Sequence, residues 1–323
     1  MGYSTDTFFD IMYDRLKAEP LSRHASAEAF LAECGERRGR LREILALDKL
    51  EAPGCGIRTE QLSETEYRIE ALPGSAFPVW VLKPSVRGVG TVLYVPGHDA
   101  YGARGSFNDY GQQDPFHHWL PLELVKNGYT VVIPELIGFG EMVKRRFNDD
   151  YKGCYANTEV AQLMGLSIEG IRVYQVLCTM EVMRTVMGLS ADLLYGISGG
   201  GLVTALTCAL SGGVRAAVIS NYGASFRSSI MSIRHCVDNY IPSLLEIGEC
   251  ADLIALGAPR PLLLTNGTAD RIFPCEGVRE TADELSRIYS LLGAEDSFRC
   301  HFHSGGHEAA VRETIDFFNS CTG

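Results

Sequence analysis

The chain has 323 residues, of which 46% are hydrophobic, a length that suits one large domain or two small ones. A formal net charge of -11 argues against nucleic acids and anionic membranes as partners. The sequence shows no signal-peptide pattern and no bilayer-length apolar stretch, and its ten cysteines include no Cys-x-x-Cys pair. We therefore expect a cytoplasmic protein with reduced thiols.

The first 50 residues are charged and follow a helical pattern. Four apolar side chains are spaced along one helix face: Phe8, Phe9, Met12 and Leu16. Residues 28–45 predict a second helix. We expect residues 1–58 to form a helical extension packed on the core. The alternatives are a homo-oligomer contact or a flap over the active site.

The remainder, 59–323, alternates between strand and helix patterns. The predicted strands are 66–72, 77–83, 91–96, 129–134, 192–196, 215–220, 261–266 and 297–302. The first two predict an antiparallel hairpin, and helical stretches separate the others. Continuous apolar runs at 130–133 and 216–219 are typical of strands buried on both faces. The pattern therefore predicts an α/β fold with a mostly parallel eight-stranded sheet and helices on both faces.

Two segments exceed what a minimal sheet-and-helix core needs. They lie near 141–166 and 222–256, and each follows a predicted strand. Both are rich in aromatic or aliphatic residues. Loops at the carboxyl ends of strands are where α/β proteins build their sites, so we predict cap-like insertions that wall a substrate pocket.

The motif Gly196-Ile197-Ser198-Gly199-Gly200 stands between the strand pattern 192–196 and an apolar helical run at 201–210. This context is typical of a nucleophile elbow, a tight strand-to-helix turn that lifts a serine above a parallel sheet. Glycines flank the serine because a Cβ on either neighbour would collide with the adjacent strand or helix. We predict that Ser198 is a nucleophile; a glycine-rich turn with no catalytic role is the alternative.

Two further residues complete a triad. Asp270 lies on the loop after the predicted strand 261–266, and His307 lies on a glycine-containing loop after the last strand. An imidazole can take the serine proton and return it to the leaving group, and a carboxylate fixes the imidazole tautomer. The chain order serine, acid, histidine predicts a catalytic triad of Ser198, Asp270 and His307.

An oxyanion formed by serine attack needs backbone amides to stabilise it. We expect one amide from Gly199, at the start of its helix, where the helix dipole favours negative charge. The other should come from His98 or Asp99, in the loop after the third predicted strand. The His98 imidazole is either structural or part of the pocket wall.

These motifs resemble the α/β-hydrolase superfamily over residues 60–320. The chain is similar to the esterase group of acetyl xylan esterases, cephalosporin-C deacetylases and dienelactone-hydrolase-related proteins. The resemblance is carried by 95–102, 134–141, the elbow, 235–242, 258–274 and 305–307. It implies hydrolysis of carboxylic esters, often of acetyl or other small acyl groups, with no metal or organic cofactor.

We therefore expect a small-molecule ester as substrate. Four aromatic residues are expected to contact it: Tyr101, Phe139, Tyr222 and Phe273. No metal is expected, because His117 and His118 near Asp114 fit no common ligand spacing. The same triad could cleave an amide or a carbon–carbon bond, which is the runner-up function. A binding protein on a hydrolase fold is a third interpretation.

Overall fold

The computed structural model describes residues 4–50, 56–72, 74–85, 88–110, 116–143 and 153–322. Within these residues nine strands form one sheet with the order β1-β2-β3-β5-β4-β6-β7-β8-β9. The strands are β1 (Arg58–Gln61), β2 (Glu66–Glu70), β3 (Ala76–Leu82), β4 (Gly90–Val95), β5 (Tyr129–Pro134), β6 (Leu193–Ile197), β7 (Ala216–Ser220), β8 (Leu262–Gly267) and β9 (Phe298–His303).

The sheet is mixed. Strands β1, β2, β3 and β5 pair antiparallel along one side, whereas the pairs from β5–β4 through to β8–β9 are parallel. This confirms the mostly parallel sheet and the hairpin between β2 and β3. The predicted count of eight strands is wrong. The extra strand, β1, has the sequence Arg-Thr-Glu-Gln, which lacks the apolar alternation by which strands are recognised.

Helices cover both faces of the sheet, as predicted. The described helices are α1 (Thr5–Leu16), α2 (Ala27–Ile44), α3 (Leu47–Leu50), α4 (Leu120–Lys126), α5 (Cys154–Leu163), α6 (Ile168–Thr185), α7 (Gly199–Leu210), α8 (Cys250–Ala255), α9 (Cys275–Leu291) and α10 (Val311–Thr322). None of them combines the length and apolar composition that a bilayer crossing requires.

Two hydrophobic cores sandwich the central strands. Successive side chains of a strand point to opposite faces, so Leu194 and Ala217 join one core while Tyr195 and Val218 join the other. The first core includes α2, α6, α7, α8 and α9, and the second includes α4 and α10. Burial on both faces explains why these strands have continuous apolar sequences.

The two amino-terminal helices pack differently. Helix α2 buries Phe30 and Leu41 in the first core, whereas Tyr13 is the buried residue of α1. The predicted apolar face of α1 is not the buried one: Phe8 and Phe9 are 57% and 59% exposed. A polar anchor decides this orientation, because the Tyr13 hydroxyl donates a hydrogen bond to Glu249. The division of the chain at residue 58 stays a prediction.

Helix α6 approaches the end of α2 closely at Gly170. A Cβ built on Gly170 would lie 2.0 Å from the carbonyl oxygen of Leu45. Because that atom belongs to the backbone, it cannot move aside as a flexible side chain would. The absence of a side chain at Gly170 therefore lets the amino-terminal helices dock on the sheet-covering layer.

We expect Gly170→Ala to lower the free energy of unfolding by about 1–3 kcal/mol, because overpacking forces the backbone apart. Gly39→Ala is the matched control, since nothing lies within 4 Å of a Cβ at that position in α2. The control should be neutral or stabilising by up to about 1 kcal/mol, the gain in helix propensity. Urea denaturation measures both variants. Wild-type stability of Gly170→Ala would contradict the close approach.

Candidate active site

Ser198 forms the turn between β6 and α7. Its backbone has φ 56° and ψ -127°, a strained conformation for a residue with a side chain. A Cβ on Gly196 would lie 2.1 Å from the carbonyl oxygen of Gly200, and one on Gly200 would lie 2.3 Å from that of Val95. The two glycines let the chain turn this tightly. This is the geometry of a nucleophile elbow.

The buried Asp270 and the partly buried His307 form a pair beyond the carboxyl ends of β8 and β9. Nδ1 of His307 lies 2.8 Å from Oδ2 of Asp270. The other carboxylate oxygen accepts the backbone N–H groups of Ile272 and Phe273, at 2.8 and 3.0 Å. Burial opposes ionisation of Asp270, but the bond to His307 and these amides outweigh it and lower the pKa of the carboxyl.

Asn221 links the strand next to the elbow with this pair, and sequence reasoning missed it. It follows β7 directly and has a φ of 51°. Its Nδ2 donates to Oδ2 of Asp270 at 3.0 Å and to the carbonyl of Gly306 at 3.3 Å. An asparagine at the carboxyl end of a buried central strand is the signal that could have identified it.

Ser198 lies at the same sheet edge as the pair, since β6, β7, β8 and β9 are parallel. Phe116 lies near both groups. Its ring centroid lies 6.1 Å from that of His307, and a Cβ on Gly97 would lie 3.1 Å from both the Phe116 ring and Cβ of Ser198. Within the described chain no hydrogen bond joins Ser198 to His307. Catalytic hydrogen bonds of unliganded sites often form only when substrate binds.

The predicted oxyanion residues lie beside the elbow. Gly199 is the first residue of α7, and the first amides of a helix have no partner within it. The loop with His98 and Asp99 runs alongside, because the position of a Cβ on Gly199 is 2.7 Å from the His98 ring. The carboxylate of Asp99 accepts the N–H of Tyr101 at 2.7 Å. The amides of His98 and Asp99 both stay candidates for the second donor.

Three of the four aromatic residues predicted to contact substrate are buried: Phe139, Tyr222 and Phe273, at 1%, 1% and 2% exposure. The Phe273 ring stacks 5.8 Å from that of His307, and the Phe139 ring meets His98 edge-on at 4.7 Å. Phe273 and Phe139 thus pack against His307 and His98, whereas the Tyr222 ring lies 4.8 Å from that of Phe273. The predicted contacts of all four residues with substrate stay predictions. Tyr101 alone of the four is exposed, at 43%.

The segment predicted as a cap at 222–256 contributes to a pocket and to the site. A cavity of about 410 Å³ lies between this segment and α1. Its apolar walls include Leu16, Phe226, Ile230, Met231, Tyr240 and Ile241. None of the triad residues lines it. The other predicted insertion, 141–166, includes residues 144–152, which lie outside the described chain.

A buried ionic network, also missed from the sequence, runs from the cap segment to the elbow. Oδ2 of Asp238 lies 2.6 Å from Nε2 of His98 and 2.6 Å from Nη1 of Arg172. The same guanidinium nitrogen donates to Glu169 at 2.6 Å. Burial alone would raise the pKa of Asp238, but the charges of His98 and Arg172 lower it far below its usual range.

Four potential metal ligands meet in this network: His98, Cys154, Cys236 and Asp238, whose ligand atoms lie within 4.8 Å of one another. Arg172 already occupies the space, since it donates to Asp238 and its Nη2 lies 3.8 Å from Sγ of Cys154. A metal ion would therefore meet a buried guanidinium cation at two of its ligands. The donor set fits an ionic network rather than a metal centre.

His117 has a structural role. It is buried, and its Nδ1 lies 2.6 Å from the hydroxyl of Tyr94. Burial lowers its pKa to about 3, so the ring is neutral. Its ring also lies 5.8 Å from that of Tyr94, a residue of the second core. Asp114 lies outside the described residues.

Glu135 braces the loop that follows His98 and Asp99. Its carboxyl accepts the N–H of Ala103 at 3.0 Å. Cβ atoms on Gly102 and Gly140 would lie 2.3 and 2.4 Å from its oxygens, so both loops close tightly around it. Burial raises the pKa of Glu135 from the ordinary 4.5 to about 8. The folded protein therefore keeps a proton here that the unfolded chain releases.

This linkage predicts a pH-dependent stability. The unfolding free energy of the wild type should fall as pH rises from about 4.5 to about 8, because the unfolded state loses the proton first. Glu135→Gln has no titrating carboxyl at this position, so its unfolding free energy relative to the wild type should increase between about pH 4.5 and about pH 8. Urea denaturation at several pH values measures the difference. Glu181→Gln, on the exposed side of α6, is the control. If the difference in unfolding free energy between Glu135→Gln and the wild type does not change with pH, the linkage is refuted.

Comparison with known proteins bears on the fold. No family model matches the chain. The putative hydrolase YtaP of Bacillus subtilis (strain 168) is 29% identical over 195 residues, which cover 58% of this chain and 63% of that protein. The chain thus spans less than two thirds of this curated relative.

Solved structures are similar over most of the chain. A putative acetyl xylan esterase (BF1801) from Bacteroides fragilis superposes with a TM-score of 0.72 at 20% identity, covering 94% of this chain and 83% of that one. The methylesterase BT1017 superposes with a TM-score of 0.68 at 20% identity, covering 98% of this chain and 68% of that one. A glucuronoyl esterase of carbohydrate esterase family 15 from Caldicellulosiruptor kristjansonii superposes with a TM-score of 0.58 at 17% identity. The superposition covers 86% of this chain and 84% of that one. The chain therefore has the α/β-hydrolase fold.

Proposed function

We propose that this chain is a serine carboxylic-ester hydrolase that works through an acyl-enzyme. One observation carries the proposal: a strained serine elbow and a hydrogen-bonded Asp270–His307 pair meet at the same edge of the sheet. A plain glycine-rich turn would need neither the strain at Ser198 nor a buried carboxylate paired with an imidazole beside it.

In the proposed reaction Oγ of Ser198 attacks the ester carbonyl while Nε2 of His307 takes its proton. Asp270 fixes the ring through Nδ1 and stabilises the imidazolium. The C–O bond to the alcohol then breaks, and His307 returns the proton to the leaving oxygen. Water, activated by the same imidazole, releases the acid from Ser198. The Gly199 amide and one amide of the His98–Asp99 loop stabilise the oxyanion.

The proposed substrate is a small-molecule ester with an acetyl or similarly small acyl group. The similar structures described as acetyl xylan esterase, methylesterase and glucuronoyl esterase support an ester rather than an amide or a carbon–carbon bond. No disulfide joins the nine described cysteines, which supports a reducing compartment such as the cytoplasm. The acidic net charge of -11 supports a small molecule rather than a nucleic acid as partner.

Hydrolysis of p-nitrophenyl esters from acetate to long chains tests the proposal. We expect the wild type to favour acetate, and Ser198→Ala to lose at least about 10³-fold in kcat, because the acyl-enzyme cannot form. Ser290→Ala, on the exposed side of α9, is the matched control and should keep wild-type rates.

Two outcomes would contradict the proposal. Wild-type turnover by Ser198→Ala would remove the serine mechanism. If no ester is hydrolysed but a fluorophosphonate still labels Ser198, the serine is a working nucleophile for another scissile bond, such as an amide.

Asn221→Ala tests the support of the catalytic pair. It removes a buried hydrogen bond to a carboxylate, worth about 1.5–3 kcal/mol, so we expect kcat/KM to fall by about tenfold or more. Asn127→Ala, on the exposed end of α4, is the control. Equal kcat/KM for Asn221→Ala and the wild type, at equal thermal stability, would show that Asn221 does not orient Asp270.

A further inference from the structure

The His98 side chain lies directly against the elbow. A Cβ on Gly199 would be 2.7 Å from both Nδ1 and Cε1 of His98 and 3.9 Å from its Nε2. The Nδ1 edge of the ring therefore faces the first residue of α7, next to Ser198. This is the helix amino terminus at which an oxyanion would be held.

The opposite edge of the ring is fixed by buried groups. Nε2 lies 2.6 Å from Asp238, whose carboxylate also pairs with Arg172. Asp238 and Arg172 are 1% and 0% exposed, and the Phe139 ring packs between the Arg172 guanidinium and His98. Neither partner can turn away without breaking the network. The ring is therefore held in one orientation, with Nδ1 toward the elbow.

This environment also sets the charge of His98. Burial favours the neutral ring, but the charge of Asp238 outweighs it and raises the pKa of His98 to about 9. The titratable and charged groups around the ring are Asp238, His235 and Cys236 from the cap segment, Cys154 from α5, and Arg172 and Glu169 from α6. At neutral pH both ring nitrogens of His98 carry protons and can donate.

We propose that the His98 imidazolium donates a hydrogen bond from Nδ1 to the oxyanion, so that a charged side chain assists the backbone amides. The inference rests on the ester hydrolysis proposed above. As the Ser198 Oγ–carbon bond forms, the carbonyl π pair moves to oxygen and the serine proton moves to His307. His98 keeps its proton throughout, and the oxyanion pair returns to carbon when the leaving-group bond breaks. Asp238 acts as a positioning residue.

The charge gives this donor an effect that a structural histidine would not have. A preorganised cation in a site with little water stabilises negative charge that exists only in the transition state, so it raises kcat rather than tightening substrate binding. Activity should therefore fall when His98 loses its proton, near pH 9. A histidine that only packs the loop would leave the alkaline limb of the profile unchanged.

His98→Gln is the direct test, with p-nitrophenyl acetate as substrate and rates measured from pH 6 to 10.5. Glutamine keeps the size and polarity but cannot carry charge. We expect kcat and kcat/KM to fall together by about 10²-fold, the usual effect of losing one oxyanion donor, with little change in KM. The fall in wild-type kcat/KM above pH 9 should disappear. His24→Gln is the matched control, since its imidazole also pairs with a carboxylate, Glu33, but far along the chain from the elbow.

Inhibition by a small alkyl boronic acid gives a second readout, because its tetrahedral adduct on serine resembles the intermediate. We expect His98→Gln to weaken this inhibition by about 10²-fold. In Asp238→Asn the alkaline limb should move to lower pH, because His98 loses the anion that holds its proton. If His98→Gln does not fold, the wild-type profile and the Asp238→Asn shift decide the question.

The outcomes separate the two proposals. A wild type without esterase activity refutes the proposed function itself. Three results would overturn the role of His98 and leave the serine mechanism intact. The wild type could be active with a flat rate between pH 8 and 10. His98→Gln could keep an unchanged kcat, or its loss of activity could be confined to KM.

Discussion

Backbone crowding around Ser198 is the constraint on which the rest of the site depends. Carbonyl oxygens of β4 and α7 come so close to the turn that neither Gly196 nor Gly200 has room for a Cβ. The turn has a positive φ at Ser198, and α7 begins at the next residue, so that the amino-terminal end of the helix dipole lies beside this serine. The parallel neighbours β7, β8 and β9 then deliver their following loops to the same edge. Asp270 and His307 therefore lie at the same sheet edge as the elbow.

Two buried polar side chains hold the loops around the elbow. Asn221 ties the strand beside the elbow to the Asp270–His307 pair, and Glu135 fills the space behind the loop that carries His98. Each is enclosed, and each satisfies backbone or carboxylate groups that would otherwise be costly to bury. Loops that bear catalytic groups gain their precision from such contacts, since they lack the repeating hydrogen bonds of helices and strands.

The His98–Asp238–Arg172 network is costly by the standards of a protein interior. Three charged groups are withdrawn from water, and apolar side chains of similar size would often be as stable. Stability alone therefore does not account for this network. Its position does, because one end reaches the first residue of α7 and the other is anchored in the cap segment. This connection couples the segment 222–256 to the electrostatics around the elbow.

The sequence by itself determined the sheet, its helical cover and the order of Ser198, Asp270 and His307, because local periodicity and glycine spacing report directly on buried strands and tight turns. It did not reveal β1, whose polar residues carry no pattern, or the orientation of α1, which a tyrosine–carboxylate bond decides against its apolar stripe. Asp238 lies 140 residues from its partner His98. Only the tertiary structure could decide such pairings, because they depend on which surfaces meet when the layers close, and single-sequence patterns extend over a few turns at most.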